Sequence, residues 1–446
     1  MELRIFDLQT SDGRAAAENL RSLWHGGGIT AQSGGVDVPK VVREILSAVQ
    51  RGGDRSAAEL TSKLDRANIL PSNIRVSEEE LARAHASMDK DFLALIRLSI
   101  ESVRRYQEHI KVRQIPWLQG EDRQVGIRYT PIQRVGLYVP GGKALYPSSV
   151  LMTAVPAIVA GVPEIVMVSP PTGGDISPVA LALAKELSIT EVYRLGGAVG
   201  LAALAYGTET IRPVAKIAGP GNAFVAEAKR QLYGVVGVDS IAGPSEVVIV
   251  ADDVADARFV AADMLSQAEH GPGSSILVTP SMPLALKVRE EVSRQLEQLD
   301  RIELTSECID RLCAVFVATD LAEACRVADT LAAEHLQIIT QDDEYCLSNI
   351  QNAGAIFLGP WTPVAVGDYM AGPSHVLPTG GTARFAGPLS CNDFCKATSI
   401  IQYGRAALHS EGALIAQFAA KEGLDAHAQS VLKRIDNSSL NGPLDR

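Results

Sequence analysis

The chain has 446 residues, 46% of them hydrophobic, and its 41 Lys and Arg against 52 Asp and Glu leave a net charge of −11. That length accommodates about two to four domains at roughly 100–200 residues each. An acidic balance without a basic run argues against nucleic acid and anionic membrane as the main partners, because both need clustered Lys and Arg, and favours a small-molecule substrate.

The first residues, MELRIFDLQT, carry neither a basic segment nor an apolar one of secretory type, and the longest apolar stretch, 150–168, is broken by Pro156, Pro163 and Glu164. Six cysteines, Cys308, Cys313, Cys325, Cys346, Cys391 and Cys395, lie in the C-terminal third. Their spacing fits neither a disulfide scaffold nor a CxxC pair, so free thiols and a cytoplasmic location are expected.

Residues 14–112 read as helical: Val41, Ile45, Leu46 and Val49 recur at 3–4 spacing, as do Leu93, Ile96 and Ile100. Pro71 and Pro116 interrupt the pattern, and the polar stretch 119–128 leads out of it, so 1–133 is taken as a helical N-terminal region. From Arg134 the texture alternates. Strands are expected at 135–139, 165–169, 191–195 and 214–218, with helices at 148–160, 178–187, 199–206 and 222–232. The alternation restarts after Gly234, with strands at 246–251, 275–279, 314–317, 336–339 and 355–358 and helices at 254–269, 284–299 and 321–333. Short strands separated by helices indicate βαβ units on a parallel sheet. The expected fold is α/β, with two tandem Rossmann-like units over 134–235 and 236–384. A helical tail follows at 385–446, mainly 408–434; its apolar periodicity is too poor to fold alone, so it should pack on something else, such as a second subunit.

Three Gly-rich turns join a strand to a helix, where free backbone N–H groups favour anions: Tyr138-Val-Pro-Gly-Gly-Lys143, Gly196-Gly-Ala-Val-Gly200 and Gly219-Pro-Gly-Asn222. None spells GxGxxG. Gly136-x4-Gly141-Gly142-Lys143 departs from a P-loop, with Lys one place late and Ala144 where Ser or Thr would hold Mg²⁺. Taken singly, each turn could equally be a tight strand–helix connection. Gln267 and His270 share a helix face at i, i+3, as half a metal site or as a surface or capping feature. Glu334-His335 closes a helix and opens a strand. An adjacent carboxylate and imidazole suit proton transfer, although two polar residues in an exposed turn would read the same way. Asp368 and His375 share a Gly/Pro-rich loop, and Glu422 and His427 lie five apart in the tail. Together these groups offer enough N and O ligands for one borderline metal such as Zn²⁺. Cys391-x3-Cys395 lacks a nearby second pair to complete a soft-metal site.

These segments, in this order, resemble the histidinol dehydrogenase family of histidine biosynthesis. The resemblance is carried by Arg134-Val-Gly-Leu-Tyr-Val-Pro-Gly-Gly142, Ala203-Leu-Ala-Tyr-Gly-Thr-Glu209, Gly219-Pro-Gly-Asn-Ala-Phe-Val225, Ala242-Gly-Pro-Ser-Glu246, Leu265-Ser-Gln-Ala-Glu-His270, Glu334-His-Leu336 and His375-Val-Leu-Pro-Thr379. It implies zinc held by Gln267, His270 and Asp368, with His427 supplied by the other subunit of an intertwined homodimer. It implies substrate contacts from Ser245, His375 and Glu422, together with the zinc set and His335, and NAD near Tyr138 and Asn222. The implied reaction is oxidation of L-histidinol to L-histidine with two NAD⁺, His335 acting as base and Glu334 activating water. Val199 stands where the family usually has Gln beside the cofactor, and Ser374 where Asn often precedes the histidine. Such departures leave room for a related zinc- and NAD-dependent dehydrogenase of another small primary alcohol.

Overall fold

The computed structural model of the chain describes residues 3–25, 35–141 and 147–436; the stretches 26–34 and 437–446, inside regions read as helical, lie outside them. The chain divides into two compact units. One holds the residues up to Lys111 together with Ile132–Phe394, and the other holds Val112–Pro131 and the residues from Cys395 onward.

The N-terminal part comprises β1 (Arg4–Asp7), α1 (Ser11–His25), α2 (Val38–Asp65), α3 (Glu78–Ala86) and α4 (Lys90–Ile110), and is followed by β2 (Leu118–Gly120) and β3 (Arg123–Pro131). The first alternating region runs β4 (Arg134–Tyr138), α5 (Pro147–Ala160), β5 (Glu164–Ser169), α6 (Pro178–Glu186), β6 (Glu191–Arg194), α7 (Gly197–Tyr206), β7 (Lys216–Ala218), α8 (Ala223–Leu232) and β8 (Gly237–Val238). Its strands form a parallel sheet in the order β6-β5-β4-β7-β8. The apolar faces of α2 and α7 cover one side, burying Val42, Val49, Leu201 and Leu204 against Val166 and Val168.

The second alternating region runs β9 (Ser245–Ala251), α9 (Ala257–Ala268), β10 (Gly273–Thr279), α10 (Met282–Leu296), α11 (Ile302–Leu312), β11 (Ala314–Val317), α12 (Leu321–Leu331), β12 (His335–Ile339), α13 (Asp343–Asn349), β13 (Ala355–Leu358) and α14 (Val364–Tyr369). Its sheet is also parallel, ordered β1-β11-β10-β9-β12-β13. Strands such as β9 and β10 are buried along nearly their whole length, which is why they read as continuous apolar runs. Val260, Met264 and Val288 pack on one face. Trp24, Ala328 and Leu331 pack on the other, where Trp24 donates its indole N–H to the Ser274 hydroxyl at 3.2 Å.

In each sheet the first strand is central, the next two step to one side, and the fourth pairs on the other. The expected pair of Rossmann-like units is therefore present, with β1 added as an extra edge.

The second unit contains an antiparallel sheet, β14-β3-β2, in which β14 (Cys395–Tyr403) lies along the whole of β3. Two helices follow, α15 (Arg405–Lys421) and α16 (Asp425–Ile435). They pack where Gly412 leaves room for Val431 and Ile435, and the chain turns between them at Gly423 with φ +75°.

Four sequence expectations need correction. The region read as helical at 1–133 contributes β1 to the second sheet, and its polar exit at 119–128 is a β-hairpin. The tail read as helical at 385–446 contains β14, and the expected helix 408–434 is two helices. In the first three, partly exposed strands replace the clean burial pattern that makes a strand conspicuous, and β14 is mostly exposed along its length; in the fourth, the helix is divided at Gly423.

Candidate active site

Parallel strands deliver side chains to a common level, and in the first unit two such levels meet at one cavity of about 600 Å³. The first sheet contributes the carboxyl end of β4, at Tyr138, and the turn between β7 and α8, ending at Asn222. The second sheet contributes its amino end: Ser245 at the start of β9, His270 before β10, and Glu334-His335 at the start of β12. Asp368, at the end of α14, and His375 complete the lining. Of the Gly-rich turn after β4, Gly142, Lys143 and Ala144 lie outside the described residues.

His335 is 4% exposed and Glu334 7% exposed, so both groups work away from bulk water. The Glu246 carbonyl lies 3.0 Å from His335 Nδ1. A carbonyl can only accept, so that nitrogen carries the proton and Nε2 is left as the free acceptor. Burial holds the imidazole below its usual range, against the opposing pull of Asp368, and the ring is neutral at pH 7. The Glu334 carboxylate accepts from the Ser245 hydroxyl at 2.5 Å and from the Glu246 N–H at 2.9 Å. Burial nevertheless pushes its pKa up to about 7, because these two bonds and the nearby His270 offset only part of the lost hydration. The result is a neutral imidazole beside a carboxyl group poised near neutrality, with 3.5 Å between His335 Nδ1 and Glu334.

Asp368 and His375 approach to 3.6 Å. Loss of water raises the carboxyl group and lowers the imidazole to about 4, so His375 is a neutral donor or acceptor. His270 is likewise held low by partial desolvation, with Glu334 and Glu269 pulling the other way. Gln267 sits one helical turn before His270, 2% exposed, and its amide nitrogen has no hydrogen-bond partner among the described residues. Turning that amide over presents its oxygen as a ligand. An orphaned amide, an imidazole and a carboxylate form a mixed N/O donor set suited to a borderline metal. Among the described residues no three His, Cys, Asp or Glu side chains form a metal cluster by themselves.

Two of the expected residues belong to the second unit. Glu422 closes α15 and His427 lies on the first turn of α16, both exposed. Val199, expected beside the cofactor, has its side chain in the apolar core of the first sheet at 1% exposure. The sequence reading gave no role to Glu246. This residue is buried, accepts the Gly380 N–H at 2.7 Å, and uses its own N–H and C=O to hold Glu334 and His335. The signal was available, since a carboxylate opening an otherwise apolar strand is rarely idle.

A sequence model of the histidinol dehydrogenase family matches residues 30–435. Histidinol dehydrogenase of Geobacillus kaustophilus is 47% identical over 410 residues, covering 91% of this chain and 96% of that protein. The Bacillus subtilis enzyme is 48% identical over 399 residues, 89% of this chain and 92% of its own length. The crystal structure of histidinol dehydrogenase from Elizabethkingia anophelis superimposes with a TM-score of 0.89 at 30% identity, over 97% of this chain and 98% of that one. The chain therefore belongs to the histidinol dehydrogenase family and is an NAD-dependent oxidoreductase.

Proposed function

We propose that the protein oxidises L-histidinol to L-histidine through a bound aldehyde, using two NAD⁺ in turn and a zinc ion, as a homodimer. The observation that carries this reading is the desolvated Glu334–His335 pair, whose two groups suit two different proton transfers at one site. His335 Nε2 takes the alcohol proton while hydride leaves for the nicotinamide. Glu334, near its midpoint at neutral pH, takes a proton from water so that the oxygen adds to the aldehyde carbon. His335, having released the first proton to solvent, then accepts the hydrate proton in the second oxidation. Ser245 keeps Glu334 aimed, and Glu246 fixes the tautomer of His335.

Gln267, His270 and Asp368 would hold zinc, joined by His427 of the second subunit. Bound there, the metal would supply a Lewis-acid hold on the amino and imidazole nitrogens of the substrate. His375 and Glu422 would complete the substrate contacts, and Tyr138 and Asn222 would face NAD. The named relatives favour histidinol over another small primary alcohol.

The decisive experiment is NADH formed per L-histidinol consumed, in excess NAD⁺, with zinc present or stripped by a chelator. Two NADH per substrate, lost with the metal and restored by zinc, are expected. No NADH from histidinol by zinc-loaded protein would overturn the assignment. A His427→Ala variant is expected to lose stoichiometric zinc; if it keeps both metal and activity, His427 is not a ligand.

A further inference from the structure

We infer that Lys229 and Asp239 form a buried clamp that positions the Gly219–Asn222 turn for the cofactor, setting affinity for NAD without touching it. The inference rests on the reading of Tyr138 and Asn222 as the NAD side of the cavity. Lys229, on α8, donates from Nζ to the Gly219 carbonyl at 2.6 Å and to Asp239 Oδ1 at 2.5 Å. Asp239, just after β8, accepts the N–H of the same glycine on Oδ2 at 2.8 Å. Both polar groups of one peptide residue are thus held by the two halves of one ion pair. The two side chains are only 2% and 3% exposed.

Burying two opposite charges costs several kcal/mol per ion, and an apolar pair of similar volume commonly does as well or better for stability. Here the pair fixes the backbone at one point. Gly219 has φ +124°, and a Cβ there would lie 2.1 Å from the Tyr138 carbonyl oxygen. Its backbone therefore lies directly against the residue that ends β4. Three residues on, Asn222 caps α8 with its side-chain oxygen, which accepts from Phe224 and Val225 at 3.1 and 3.2 Å. That leaves its NH₂ group as the donor available to a ligand in the cavity. The spacing between Tyr138 and Asn222 across the β4/β7 junction is thereby set at Gly219. Asp239 is itself anchored through its N–H to the Ile217 carbonyl at 3.2 Å, so the clamp is tied to β7 as well as to the glycine that follows it.

The test uses zinc-loaded, full-length protein carrying Lys229→Met or Asp239→Asn. Steady-state kinetics with each substrate varied, NADH binding followed by fluorescence, and thermal melting are compared with the parent. Lys229→Met should raise KM for NAD and weaken NADH binding roughly tenfold or more, the size expected for one charged hydrogen bond. kcat at saturating NAD and KM for histidinol should stay within about twofold. Asp239→Asn, which still offers Gly219 an acceptor, should shift NAD binding in the same direction by less. Unchanged NADH binding, or kcat falling together with melting temperature while KM for NAD holds, would overturn the clamp. If Lys229→Met does not fold, Asp239→Asn decides alone. A parent protein that fails to oxidise histidinol counts against the proposed reaction, whereas the NADH titration still reads the clamp.

Discussion

The two sheets of the first unit share one strand order yet present opposite ends to the cavity. The first offers its carboxyl end, where chains enter helices and backbone N–H groups point outward. The second offers its amino end, just after α9 and α12 have finished, so their carbonyl ends and negative dipole poles face the site. The difference sorts the ligands by charge. N–H-rich helix starts suit the phosphates of a dinucleotide, and helix ends suit a metal ion and a cationic substrate. Glu334-His335, read from the sequence as closing a helix and opening a strand, lies at the amino end of β12, whereas α/β proteins ordinarily bind ligands at the carboxyl ends of strands. Only the first sheet turns that end to the cavity.

The largest way to break the contrast is His335→Asn, which should cut kcat by roughly 10²–10⁴ and leave NADH binding intact, since it damages only the amino-end chemistry. Retained turnover would refute the assigned base. Next comes Gly219→Ala on the other sheet. A Cβ colliding with the Tyr138 carbonyl at φ +124° should cost about 1–3 kcal/mol in the turn and appear as lost NADH affinity with zinc content unchanged.

Glu334→Gln sharpens the comparison through pH. A carboxyl group with a folded-state pKa of about 7 against 4.5 unfolded is a burden on stability that is absent below about pH 4.5 and complete above pH 7. The variant should therefore melt higher than the parent at pH 8, by about 1–3 kcal/mol, and match it at pH 4. It should also turn over more slowly. The smallest effect is expected at Glu191, far from the chemistry, where hydrogen bonding to Arg134 holds the carboxyl down at about 2. Its contribution is present above about pH 4.5 and is lost as pH falls toward 2. Glu191→Gln should thus lose about 1–2 kcal/mol at pH 7 in urea titrations, allowing for partial exposure, and the gap should close in acid.

The paired α/β architecture was legible because fully buried parallel strands write long apolar runs, as in Val247–Ala251 and Ser275–Thr279. The site was legible as separate pairs: Gln267 with His270, Glu334 with His335, Asp368 with His375. What brings them together is strand register, Ser245 opposite Gly273 and His335 opposite Val247, and no local spacing encodes that. Glu246 and Lys229 were missed for the complementary reason. Glu246 holds Glu334 and His335 through its own backbone, and Lys229 meets the Gly219 carbonyl, contacts that exist only in the folded chain. Val199, on the first turn of α7, could point to a ligand or to the core, and its side chain takes the core.

The edge strand β1 carries a kinetic consequence. Arg4–Asp7 pairs with Ala314–Val317, so β1 must wait for a strand about 310 residues further along the chain before its partner exists. Closing so long a loop is slow, and until it closes β11 presents a bare, apolar edge to any passing strand. A tag or deletion placed at the first few residues would therefore act on the assembly of the second sheet, and its signature would be aggregation during synthesis rather than a loss of catalytic rate.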